Sequence, residues 1–153
     1  VRVRFRIEFI PKESEAEIVV RCHSLDENIR KQCEAIEAIL DDKPAIVYYK
    51  EDQEFYFPSS EVLFFETNGE TVYAHTVNDV FKVNYRLYQL ATVLPSDFLR
   101  ISKSTIANTS KILSLSKNLS SSVSIQFFNT HKQVYVSRFY YKDLKQKLSQ
   151  RRA

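Results

Sequence analysis

Glycine is almost missing from this chain, with Gly69 the only one in 153 residues. Phosphate-cradling loops need several glycines at fixed spacing, so the P-loop and the dinucleotide-binding fingerprint are both excluded, and with them the usual ATP- and NAD-dependent enzymes. Cysteine is scarce as well. Cys22 and Cys33 are the only two, too few for a disulfide-stapled secreted domain. With His23, His75 and His131 they form no recognisable zinc-ligand spacing. Cys22 and His23 adjoin on a segment read as strand, where neighbouring side chains point to opposite faces, which is poor geometry for a nucleophile and its base. Both thiols are expected to be buried or semi-buried. No apolar run approaches the ~20 residues of a membrane span, and the N-terminus alternates charge with hydrophobe instead of building a signal-peptide core. With no convergent acid–base pair, metal cluster or nucleophile, the sequence predicts neither an enzyme nor a cofactor.

The residues that are present describe a folded protein of one domain, with at most a small appendage. Hydrophobic residues make up 44% and aromatics 13%, which argues against disorder. Charge is divided sharply along the chain. From Phe98 onward eleven Lys and Arg face one acid, Asp143, a formal +10; since the whole chain carries +3, residues 1–97 carry −7. A polyanion gains counterion-release entropy near the C-terminal part and is repelled by the rest. A solvated basic face on a globular domain would produce the same count.

Residues 1–44 read as a β-β-α extension. Val1 to Phe9 alternate with period two, and Glu17–Cys22 repeat a strand signal after a polar turn at Pro11–Glu15. Ser24 with Glu27 forms a capping box. It opens a helix with the apolar stripe Leu25, Ile29, Cys33, Ile36 and Leu40, stopped by Asp41-Asp42 and Pro44. Such a unit is too small to be stable alone. From residue 45 the chain is strand-rich: Ala45–Tyr49, Glu54–Phe57, Val62–Glu66, Thr71–Thr76, Val80–Val83, Phe98–Ile101, Lys111–Ser116, Val123–Phe128 and Gln133–Val136. Asn68-Gly69 is the strongest hairpin signal. Helices are expected at Tyr85–Leu94, ended by Pro95, and at Tyr140–Leu148, with Ser137 as N-cap.

Several stretches then become specific in order and interval. They are Leu63-Phe64-Phe65-Glu66, the Asn68-Gly69 turn, Tyr85–Leu90, Leu94-Pro95, Phe98–Asn108 and Val136–Lys145. Over residues 45–148 the chain resembles the LytTR-type DNA-binding domain of bacterial transcription regulators. The resemblance implies a mostly β fold (α+β) of small sheets stacked in an elongated core, whose loops, and not a recognition helix, enter successive major grooves of the duplex. It assigns base reading to three loops: Asn68–Glu70, with Asn68 and Glu70; the segment after Phe98–Ile101, with Ser102 and Lys103 and with Ser104 beside them; and Arg138, before the last helix. Arginine offers a bidentate fork to guanine, and lysine and asparagine donate to acceptors on base edges. Ser104, Ser137 and nearby lysines such as Lys142 suit phosphate, which fixes register without reading sequence. Arg100 has a DNA role, a solvent-facing position or a structural ion pair as alternatives, Asn68 a base contact or a turn, and Asn108 terminates or caps local backbone in preference to touching DNA. Two departures stand out. Phe139 replaces a basic residue common in relatives, and Ser120-Ser121-Ser122 replaces an Asn-Gly-Arg type of loop, which leaves a backbone contact there unsupported.

The resemblance further implies a cytoplasmic, response-regulator-like protein that binds repeated promoter half-sites as a homodimer. Residues 1–44 resemble the short extension of stand-alone regulators, which are often paired with a small inhibitory membrane protein. That makes the extension a dimerisation or docking element. Two rival functions remain at this level. Abundant aromatics (Tyr48, Tyr49, Phe55, Tyr56, Phe57, Phe127, Phe128) would suit a single-strand or RNA-binding β-module, and the basic face would suit an acidic protein partner.

Overall fold

The structure, a computed structural model, describes residues 4–40 and 45–151. Val1 and Val3 of the first expected strand, the helix stop at Asp41-Asp42 and Pro44, and Arg152 lie outside them. The described chain divides into two units, one in residues 1–42 and one in residues 43–153.

In the first unit the helix forms and the strands do not. Helix α1 spans Glu27–Leu40. Its N-cap is Asp26, whose Oδ1 accepts the Ile29 N–H at 2.8 Å, in place of the capping box expected from Ser24. Residues 4–10 and 15–22 enter no ladder. Phe5 and Phe9 are 92% and 98% exposed. Alternation defines two faces of an extended segment but supplies no partner for its backbone, and within one copy nothing described provides one. Cys22 is exposed and Cys33 half-buried, both as free thiols, so the expectation of a sheltered thiol fails at Cys22.

The second unit is built on a seven-stranded antiparallel sheet in the order β2-β1-β5-β4-β3-β7-β6. Its strands are β1 Tyr48–Lys50, β2 Gln53–Phe55, β3 Phe64–Asn68, β4 Thr71–His75, β5 Val80–Val83, β6 Phe98–Ser102 and β7 Thr105–Asn108. A second sheet, ordered β10-β9-β8, holds β8 Ile112–Lys117, β9 Val123–Phe127 and β10 Gln133–Val136. Helix α2 is Leu87–Val93 and α3 is Arg138–Ser149.

The large sheet is covered on both faces, so consecutive residues feed different cores. Phe65 and Ile106 join Tyr48, Phe81, Leu87 and Leu90 on the α2 side. Phe64 and Ala107 join Ile112, Ile125, Phe127 and Leu144 on the side of the small sheet and α3. All four residues of β7 are therefore buried. No polar–apolar alternation marks Thr105–Asn108, and a strand there is absent from the sequence reading for that reason. Asn108 closes the strand as expected. Its side chain donates to the Val62 carbonyl at 3.0 Å and accepts from Ser110 N and Oγ.

His75 shows what sheltering a titratable group costs. Its ring stacks on Phe64 with centroids 4.3 Å apart, and Nδ1 is buried without a partner. Glu66 Oε2 lies 3.6 Å from Nε2 and would favour the cation. Burial, reinforced by the Lys132 ammonium, prevails and holds the imidazole at about 4. Between the ordinary value near 6.5 and this one, the unfolded chain takes up a proton that the folded chain refuses. The resulting stability is complete above pH 6.5 and declines as pH falls toward 4, by on the order of 2–3 kcal/mol. In thermal unfolding followed across that window, His75→Gln should flatten the decline; an unchanged slope would assign it to other groups.

Candidate nucleic-acid interface

Three segments far apart in sequence meet at one end of the second unit. Strand β3 runs into the β3–β4 turn, and β7 starts beside it, with Glu66 opposite Thr105. Thr67 N donates to the Ser104 carbonyl at 2.9 Å. The β3–β4 turn and the β6–β7 turn are thus neighbours on the same sheet end. Ser137 N donates to the Ile101 carbonyl at 2.9 Å and brings the start of α3 beside β6, one residue before Ser102.

Each turn has its own local cause. In the first hairpin Asn68 pairs with Thr71, so the two-residue loop is Gly69-Glu70 and not Asn68-Gly69. Gly69 alone has positive φ there, at 66°, as the first central position of a type II′ turn requires. Asn68 and Glu70 both stay exposed at the tip. In the second hairpin Ser102 pairs with Thr105, which leaves Lys103-Ser104 as the loop. A register shift between Arg100 and Ser102 makes Ile101 the extra residue of a bulge. Its side chain is fully buried, and its carbonyl receives Ser137.

Arg100 is engaged by its own hairpin. Nε donates to the Ser102 carbonyl at 2.7 Å and Nη2 to the Lys103 carbonyl. The side chain fastens the tip that carries Lys103, and among the described residues it enters no ion pair. Ser102 and Ser104 are half-buried, with hydroxyls 3.3 Å apart and Ser104 N donating to Ser102 Oγ at 3.2 Å. Ser137 occupies the N-cap position of α3 without a side-chain cap bond; its carbonyl accepts Tyr140 N instead. The first turn of α3 holds no acid. The positive end of the helix dipole therefore adds to Arg138 instead of being neutralised.

Six of the remaining cations fall into two groups. Lys132 Nζ donates to the Thr76 and Asp79 carbonyls at 2.8 Å each, and Arg151 to those of Thr109 and Ile112. These two hold the fold together. Lys103, Arg138 and Lys142 are exposed, and Lys117 ends β8 at the level of Val136. Among the described residues none of the four enters an ion pair. Lys142 lies one helical turn beyond Arg138 on the same face. Sequence reasoning passed over Lys117. Its signal, a lone lysine closing a strand before a polar turn, becomes informative only once β8 and β10 are known to flank β9.

The aromatics proposed as stacking platforms are largely structural. Tyr48 and Phe127 are buried, and Phe55 and Phe57 pack against the α2-side core. Tyr56 and Phe128 are exposed, at 72% and 41%. No group of three His, Cys, Asp or Glu among the described residues is placed to hold a metal ion. No described helix is long and apolar enough to cross a membrane.

Turns and cations gather at one end of a β scaffold, and among the described residues strands separate every pair of helices, so no helix-turn-helix unit is present. The family profile of the LytTr DNA-binding domain matches residues 52–149, and the chain belongs to that family. Among similar proteins are uncharacterized HTH-type transcriptional regulators of Staphylococcus aureus strains NCTC 8325 and COL. Each is 31% identical over 137 residues, covering 90% of this chain and 92% of the relative. The solved LytTr domain of a protein assigned as a methyl-accepting/DNA response regulator from Bacillus cereus superposes with a TM-score of 0.61. At 24% identity it covers 69% of this chain and 97% of its own, and it shares the fold.

Proposed function

We propose that this chain is a transcription regulator that binds double-stranded DNA sequence-specifically, setting turn-borne side chains into successive major grooves. The observation that carries the reading is the juxtaposition of Lys103 and Arg138. Two exposed cations from separate segments are brought to one end by the Thr67–Ser104 and Ser137–Ile101 backbone bonds. Lys103 and Arg138 read base edges, with Asn68 and Glu70 at the neighbouring tip. Lys142, Lys117 and the hydroxyls of Ser102, Ser104 and Ser137 address phosphate, and Arg100 keeps the Lys103 tip in shape. The transcriptional role named for the staphylococcal relatives fits this chemistry. The protein acts in the cytoplasm without enzymatic activity, as a homodimer on repeated half-sites. Residues 1–44 serve as its dimerisation or docking element, and a small membrane protein is a candidate restraint on it.

The test is a titration of a selected duplex and of its separated strands at several salt concentrations. The two free cations assigned to phosphate, Lys117 and Lys142, predict that log affinity for the duplex falls against log salt with a slope of about −2. Duplex is expected to be preferred over single strand. Equal binding to the single strand, or an affinity indifferent to salt, would remove the proposal.

A further inference from the structure

Arg4–Ile10 has the pattern of a strand and none of its bonds. In an extended backbone Phe5, Ile7 and Phe9 fall on one face and Arg4, Arg6, Glu8 and Ile10 on the other. Ile7 is 69% exposed, between phenylalanines that are almost fully so. Among the described residues the backbone bonds between non-helical partners in this unit reduce to Ser14 N to the Pro11 carbonyl. An extended segment in this state presents a row of free N–H and C=O groups to any strand that can match it.

We propose that the match is a second copy of this chain, with the two Arg4–Ile10 segments paired antiparallel about Ile7. In that register Ile7 meets Ile7 on the two-fold axis, Phe5 faces Phe9, and Arg6 of each copy faces Glu8 of the other. The attraction is already visible within one copy, where Arg6 and Glu8 form an ion pair. Charge also selects the register. Sliding to the neighbouring alignments that keep the apolar faces together sets Arg6 against Arg6 or Glu8 against Glu8, and like charges directly opposite are unfavourable. The contact is isologous, so the shared edge is used up at two copies.

The paired segment itself brings apolar surface to the contact, since Phe5, Ile7, Phe9 and Ile10 are all exposed. The inference deepens the homodimer reading above by naming the contact, and it is independent of which residues touch DNA.

Sedimentation equilibrium of the full chain tests it, using wild type, Arg6→Glu, Glu8→Arg, the double variant, and an equimolar mixture of the two single variants. Each single variant is expected to self-associate about 10-fold more weakly, because both facing pairs become like-charged. The double variant restores the dimer. The mixture forms a heterodimer, since the chain with acids at both positions then faces the chain with arginines at both. A monomeric wild type, single variants as dimeric as wild type, or a mixture no tighter than its components would each overturn the pairing. Monomers that still select duplexes would overturn the pairing alone and leave the DNA reading intact.

Discussion

Lys103→Ala and Arg138→Ala are each expected to lower affinity for the preferred duplex by roughly 5- to 150-fold, the equivalent of ~1–3 kcal/mol for a lost base contact. Each should also relax preference at its own position. Both side chains are exposed, and neither has a described ion-pair partner, so their removal leaves the fold almost untouched. Selection from a random duplex pool with wild type and each variant separates two behaviours. A base-reading residue changes the selected sequence, whereas a phosphate contact weakens binding evenly and reduces the salt slope by about one. Arg100→Ala serves as the contrast. Its guanidinium bridges the Ser102 and Lys103 carbonyls, so its loss is expected to weaken binding through a loosened tip. A selected sequence unchanged by both Lys103→Ala and Arg138→Ala would remove these two residues from the reading surface.

Leu144→Ala carries the largest expected effect on stability. Leu144 is fully buried in the core beneath the small sheet and fixes α3 against β6. Truncation removes transfer energy and leaves a cavity, together ~2–5 kcal/mol, out of a total stability of about 5–15 kcal/mol. For a unit of this size that lowers Tm by roughly 10 °C or more. The same helix presents Arg138 at its first residue. Duplex affinity should therefore fall even at temperatures where the variant is still folded, while Lys142→Ala, two residues before Leu144 and exposed, should shift Tm by no more than ~2–4 °C. A Tm within a degree of wild type for Leu144→Ala would show that α3 docks in some other way.

The amphipathic segments were the legible ones, because a single dry face writes itself into the sequence. Strands Val80–Val83 and Gln133–Val136 run as expected, both with one face in and one face out, and α2 ends at Val93 before Leu94-Pro95. β7 was not legible: it is buried on both faces, and period two carries no information there. The N-terminal strands failed in the opposite sense. Their alternation is real, but hydrogen bonds need a partner strand, and within one copy none is supplied. The type of the first hairpin was also beyond the sequence, since Asn68-Gly69 fits a loop starting at either residue and cross-strand register decided that Gly69 comes first.

Residue order alone determined that this protein has no nucleotide loop, that its cations crowd into the last third of the chain, and which motifs carry its kinship. Those are properties of composition and spacing, and they survive without coordinates. Only the tertiary structure decided which cations remain free. Lys132, Arg151, Arg100, Lys103 and Arg138 are alike in charge and all lie in the basic block, yet among the described residues the first three donate to backbone carbonyls and the last two do not. The reason is that carbonyls left over by sheets, bulges and turns take up nearby donors, and folding decides where those carbonyls lie.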